Sequence, residues 1–298
     1  MNGPFVVLSG ACGTELERRG APTPLPLWSA AALLEAPDLV REVHRDYVRA
    51  GADVVTANTF RTIRRTLARA GLATTPRDLV ATAVRLAREG IRDAGTDRPV
   101  RVAGSVAPLE DCFRPDLVPG EGDLAREHRE RADDLVASGA DLALVETMNT
   151  VREAVAALRA CAAAGLPAAV SFTCVEGPRL PSGETLAEAV RAMRPLAPLA
   201  IGVNCCATAV ATAGVEVVRR EAPDVPAMAY ANGVGVPDDA AGWRFVAGHG
   251  ASREAYRDAV RRWIALGARW IGGCCGTTPD YVADVRGLVD RAAATRPR

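Results

Sequence analysis

The sequence predicts a (β/α)8 barrel, one α/β domain over residues 1–298, and three observations carry that prediction. Short β-branched runs alternate with longer Ala-, Leu- and Arg-rich stretches of helical period from end to end, in eight rounds. The strand candidates read apolar on both faces, and each is followed by a helix candidate, which requires a parallel sheet covered by helices. A junction of helix, Gly-Ala and strand recurs as RAGADVV, SGADLALV and LGARWIGG. Eight such units close most naturally into a barrel. The rival, a doubly wound open sheet, expects a G-x-G-x-x-G phosphate fingerprint in the first strand-to-helix turn, and SGACGTEL lacks it.

In chain order the strand candidates are PFVVLSGA (4–11), ADVVTANT (52–59), VRVAGSVA (100–107), DLALVETM (141–148), PAAVSFTC (167–174), LAIGVNCC (199–206), VPAMAYAN (225–232) and RWIGGCC (269–275). The first long helical stretch opens with Ser29 as N-cap, restarts after Pro37 and ends at Gly51. Loop insertions are expected near residues 108–122 and 233–250. No low-complexity segment or linker divides the chain.

Composition excludes several function classes. The 36 basic and 36 acidic residues cancel, so no nucleic-acid face, polybasic membrane patch or acidic tail is indicated. A small, roughly neutral substrate fits this balance. The N-terminal MNGPFVVLSGACG has no basic n-region and too short an apolar run for a signal peptide, and no stretch reaches the length of a membrane span. A cytoplasmic protein is expected, with nothing to indicate an oligomer. The eight cysteines are then expected as thiols. Four stand alone, whereas Cys205 with Cys206 and Cys274 with Cys275 are adjacent pairs.

In a barrel of this kind the active site lies at the carboxyl ends of the strands. Those ends are Ser9, Gly10 and Cys12; Asn58 and Phe60; Ser105; Glu146 and Thr147; Thr173 and Cys174; Asn204, Cys205 and Cys206; Tyr230 and Asn232; and Cys274 and Cys275. Three or four thiols therefore converge on one face. Three thiolates form a soft anionic cage for which Zn2+ is the natural cation, with a fourth tetrahedral position open. Adjacent strand residues point to opposite faces, so Cys274 and Cys275 share a metal only where the backbone leaves strand geometry, and Gly272, Gly273 and Gly276 supply that freedom. The competing readings are a closed four-cysteine zinc site that adds Cys206, and plain packing of small apolar thiols. An open three-thiolate zinc suits the capture of a substrate thiol, whose free pKa of about 8.5 it lowers, and the implied reaction is alkyl transfer to sulfur.

The segments LSGACGTELERRG, LWSAAALLEAPDLVREVHRDYVRAGADVVTANTF, VAGSVAP, ADLALVETM, SFT, GVNC and IGGCCGTTP resemble the homocysteine S-methyltransferase family over nearly the full length. GVNC and GGCCGTTP are the most specific. The resemblance implies a barrel, a homocysteine acceptor, zinc held by Cys205, Cys274 and Cys275, and Glu146 at the substrate amino group. Cys206 has no role in the family pattern. One departure is Ser9, where the family usually carries an Asp that helps hold the amino group, so another thiol acceptor stays open. Trp28 and Phe60 are the aromatics placed to face the cationic centre of a methyl donor, a contact worth about 0.5–2 kcal/mol. Betaine-using relatives carry an aromatic residue after the strand-four Glu, where this chain has Thr147, so a sulfonium donor, S-methylmethionine or S-adenosylmethionine, is favoured. Asn204 is assigned to the catalytic group with Glu146, and Ser9, Gly10, Ser105 and Asn232 to substrate contact. Ser171, Thr173 and Gly183 match family positions without a derived role. His44, His128 and His249 fall away from strand ends and are expected to be solvated or packed.

Overall fold

The computed structural model describes residues 4–238 and 242–295. Eight parallel strands form one sheet: β1 (Val6–Val7), β2 (Val54–Ala57), β3 (Arg101–Val106), β4 (Leu142–Met148), β5 (Ala168–Phe172), β6 (Ile201–Asn204), β7 (Ala227–Tyr230) and, after a hairpin of β8 (Val236–Asp238) and β9 (Gly242–Arg244), β10 (Ala268–Ile271). The order is β1-β10-β7-β6-β5-β4-β3-β2. A parallel bridge from Leu8 to Val54, with Ser9 N donating to Val54 O at 2.8 Å, brings β2 against β1 and closes the ring. The result is the (β/α)8 barrel that the alternation of elements predicts.

The helices are α1 (Gly13–Arg18), α2 (Ala32–Glu35), α3 (Pro37–Arg49), α4 (Arg64–Arg69), α5 (Pro76–Ala94), α6 (Glu121–Ala137), α7 (Val151–Ala163), α8 (Leu186–Met193), α9 (Thr208–Glu221), α10 (Arg253–Leu266) and α11 (Pro279–Ala294). Their ends follow local chemistry. Thr75 and Thr185 close capping boxes with Asp78 and Glu188, and Gly95 and Gly267 terminate helices in the left-handed region. Ser29 is not the N-cap that the sequence suggested. A 3₁₀ turn begins one residue earlier, at Trp28 with φ 46°, and the Ser29 carbonyl accepts from Asn58 Nδ2 at 2.7 Å.

Strand alternation sorts the side chains into two cores. Val6, Leu8, Val54, Ala103, Leu142, Leu144, Ala169, Met228, Tyr230 and Trp270 fill the barrel interior. Their neighbours, among them Val7, Val55, Val102, Val145, Val170, Val203 and Ile271, pack outward against the helices. The next inward positions of β3 to β7, Ser105, Glu146, Ser171, Asn204 and Tyr230, are joined by hydrogen bonds at the carboxyl mouth. The strands stop sooner than the sequence suggests. The 199–206 candidate ends as a strand at Asn204 and 269–275 at Ile271, where the chain leaves pleated geometry to turn its cysteines over the mouth, and 225–232 ends at Tyr230. The two expected insertions are present as the loop between β3 and α6 and as the β8–β9 hairpin.

Candidate metal and substrate site

A cleft of about 490 Å³ opens at the carboxyl end of the barrel, with the cysteine cluster in its wall. The Sγ atoms of Cys205, Cys274 and Cys275 all lie within 4.8 Å of one another. Two departures from strand geometry bring them together. Cys205 sits at φ 52°, a left-handed conformation that non-glycine residues rarely hold, and Gly276 at φ 73° turns the chain back after Cys275. The Cys274 carbonyl then accepts from Thr277 Oγ1 at 2.7 Å, and Gly276 N donates to Thr14 Oγ1 at 3.0 Å. Tyr47, from α3, donates to Ala11 O at 2.8 Å and Thr277 O at 3.1 Å, tying the first loop to the last. A Cβ on Gly10 would come within 2.6 Å of the Tyr47 ring, so that position has no room for a side chain.

The three thiols share charge unequally. Hydrogen bonds from the Cys205 and Cys275 thiols hold Cys274 well below the ordinary thiol range. Cys205 is raised, chiefly by its bonds to Cys274 and Cys275. Cys275 is raised as well: its bond to Cys205 pulls it down, but its bond to Cys274 and its burial outweigh that. A soft divalent cation would remove the repulsion that stops the other two from ionising, and an all-sulfur donor set is what zinc takes. Cys206 does not join them. It is buried two residues past the end of β6, in the core between barrel and helices, so the four-cysteine site is not formed among the described residues. Among the described residues no fourth His, Cys, Asp or Glu completes the cluster.

Behind the thiols lies a buried polar network. Asn204 Oδ1 accepts from Thr147 N at 2.9 Å and Ser171 Oγ at 2.8 Å, while its Nδ2 donates to Thr147 Oγ1 at 2.8 Å and reaches Cys274 Sγ at 3.9 Å. Thr147 itself is left-handed, φ 59°, at a register shift between β4 and β5. The Glu146 carboxylate accepts from Ser105 Oγ at 2.5 Å and from Tyr230 Oη at 3.1 Å, and Tyr230 Oη lies 2.5 Å from Ser171 Oγ. Burial and the Cys274 thiolate push Glu146 up to about 7, against the pull of its two hydroxyl donors. An incoming ammonium would favour the ionised carboxylate.

Of the residues named from sequence, Ser9, Gly10, Trp28, Phe60, Ser105, Glu146, Cys205, Cys274 and Cys275 line the cleft. Cys12 also does, its thiol pushed up to about 12 by burial. Ser9 Oγ accepts from Thr56 N at 3.2 Å. Trp28 and Phe60 meet edge to face, ring centroids 6.4 Å apart. Two of the named residues are set back from the cleft. Asn204 is fully buried, bonded to Thr147 and Ser171 behind Cys274. Asn232 is not brought to the cleft: β7 has already ended, and its backbone N–H turns aside to Cys206 O at 2.9 Å. His44 and His128 are buried and His249 lies in an exposed turn.

The sequence places Tyr230 at a strand end but gives neither it nor Ser171 a role. Counting inward positions by twos from Met228 and Ala169 finds both. Sequence reasoning missed Arg131, a buried cation on α6 that donates to the carbonyls of Thr59, Thr62 and Ser105 and so clamps the ends of β2 and β3; no motif marks it.

A parallel barrel with three converging thiols and a buried carboxylate at its mouth presents the donor set that a soft metal ion takes. The homocysteine S-methyltransferase family model matches residues 6–289, and the chain belongs to that family. It is 33% identical to the homocysteine S-methyltransferase of Escherichia coli K12, over 95% of this chain and 94% of that one. It is 30% identical to homocysteine S-methyltransferase YbgG of Bacillus subtilis, over 95% and 93%. The metallated crystal form of the homocysteine methyltransferase MmuM from E. coli superposes with TM-score 0.82 at 29% identity, covering 96% of each chain.

Proposed function

We propose that this S-methyltransferase moves a methyl group from a sulfonium donor to the thiol of homocysteine, giving methionine, with zinc held by Cys205, Cys274 and Cys275. The observation that carries the reading is the three-sulfur cluster, within 4.8 Å, in the wall of a cleft that also presents a buried carboxylate. Zinc bound there supplies Lewis acidity that keeps a substrate thiol ionised at neutral pH. Glu146 receives the substrate ammonium, and Ser105 and Tyr230 fix its two oxygens in place. Asn204 orients Cys274 from behind. Trp28 and Phe60 offer aromatic surface to the cationic donor and exclude water from it. Positioning and desolvation supply much of the rate, and no general base is required for the transfer. Zinc-loaded protein given homocysteine and S-methylmethionine, or S-adenosylmethionine, should form methionine; formation with neither donor would sink the reading.

A further inference from the structure

We propose that Arg61 is the carboxylate anchor of the cleft and binds the α-carboxylate of the methyl donor, a sulfonium α-amino acid. The proposal rests on the reading that the cleft takes a sulfonium donor. Two arginines line the cavity, Arg61 and Arg114. Arg114 is already held by both oxygens of Asp116, at 2.8 and 2.6 Å. Arg61 makes no ion pair among the described residues, and its Nε is buried without a hydrogen-bond partner. Its guanidinium carbon sits 5.5 Å from the centroid of the Phe60 ring. An arginine laid on an aromatic ring keeps its N–H donors in the guanidinium plane, where they can grip a carboxylate in a fork. A buried N–H with no acceptor carries a cost that an incoming acceptor removes.

Topology assigns the carboxylate to the donor rather than to the acceptor. The acceptor thiol and ammonium are taken at Cys205, Cys274, Cys275 and Glu146, beyond the ends of β4, β6 and β10. Arg61 follows β2, which lies opposite β6 in the ring of strands. A sulfonium resting against Trp28 and Phe60 faces the cysteines with its methyl group, and its amino-acid tail runs past Phe60 to Arg61.

The test is calorimetric titration of the zinc-loaded protein, Arg61→Gln and Arg61→Lys with S-methylmethionine and with its decarboxylated counterpart, dimethyl(3-aminopropyl)sulfonium. The parent should prefer the carboxylate-bearing donor by about ten- to a hundredfold, the increment of a charge-assisted, forked hydrogen bond. Gln should abolish that preference and Lys restore part of it, with homocysteine affinity unmoved. Equal weakening of both donors, a loss that falls on homocysteine instead, or a parent that binds the two donors equally or not at all would each overturn the assignment. Methionine formation by the parent, measured in parallel, tests the methyl-transfer reading separately: a preference without turnover upholds Arg61 and removes that reading.

Discussion

Asn204→Ala is the substitution that most exposes how the site is built. The amide makes four contacts: it accepts from Thr147 N at 2.9 Å and Ser171 Oγ at 2.8 Å, and donates to Thr147 Oγ1 at 2.8 Å and, weakly, to Cys274 Sγ at 3.9 Å. Ser171 retains Tyr230 as a partner, but the Thr147 amide loses its side-chain acceptor in a buried setting. A buried donor left unsatisfied costs about 1–3 kcal/mol, and the small cavity left by the amide adds about 1 kcal/mol. A loss of about 2–4 kcal/mol is therefore expected in denaturant unfolding of the metal-free protein. The functional effect should be larger than stability explains. The left-handed backbone of Thr147 is worth about 1–3 kcal/mol of strain, and without Asn204 it is free to relax, moving the neighbouring Glu146 off the substrate ammonium. Methionine formation should fall by about tenfold or more, mainly through a higher homocysteine KM. A variant within about 0.5 kcal/mol of the parent and within about twofold in turnover would refute the account of Asn204 as the brace of this site.

Other substitutions probe separate parts. Cys206→Ala should keep full zinc stoichiometry and lose about 1 kcal/mol of stability, whereas Cys205→Ser should lose tight zinc binding; equal zinc loss in both, read by metal analysis, would revive the closed site. Ser9→Asp adds a charge beside the cleft while keeping an acceptor for Thr56 N, and should lower the homocysteine KM by about tenfold; an unchanged KM in steady-state assays would mean that this side chain serves the backbone alone or that the acceptor is another thiol. His44 is fully buried and burial lowers it to about 4, so the native state binds fewer protons than the unfolded chain below its ordinary value of 6.5. Its share of stability is complete above pH 6.5 and is lost as pH falls toward 4, with a slope of at most about 1.4 kcal/mol per pH unit. His44→Leu should flatten unfolding free energies across that window, and an unaltered slope would contradict the assignment.

The barrel was legible because its signal is repeated: eight apolar runs joined by helices leave few topologies, and errors at single boundaries do not accumulate. The cysteines were legible because two adjacent pairs in predicted strand ends are chemically unusual. Strand lengths were not. Nothing in GVNCC or RWIGGCC says where pleating stops, since that depends on the Thr14, Tyr47 and Thr277 bonds from distant segments. The same holds for Asn232, which sits on the inward parity of β7 but beyond its last paired residue. Tyr230 and Ser171 could have been found by carrying the barrel's alternation two residues past its apolar layer. Arg131 could not, because a charged residue on an amphipathic helix reads as solvated until the ends of β2 and β3 are known to lie beneath it.

X-ray absorption at the zinc edge of the purified protein, with and without homocysteine, tests the central claim most directly. Three protein sulfurs rising to four on adding homocysteine is the predicted result, because the cluster supplies three thiols and no fourth ligand among the described residues. Four sulfurs in both samples, or three that ignore homocysteine, would contradict it.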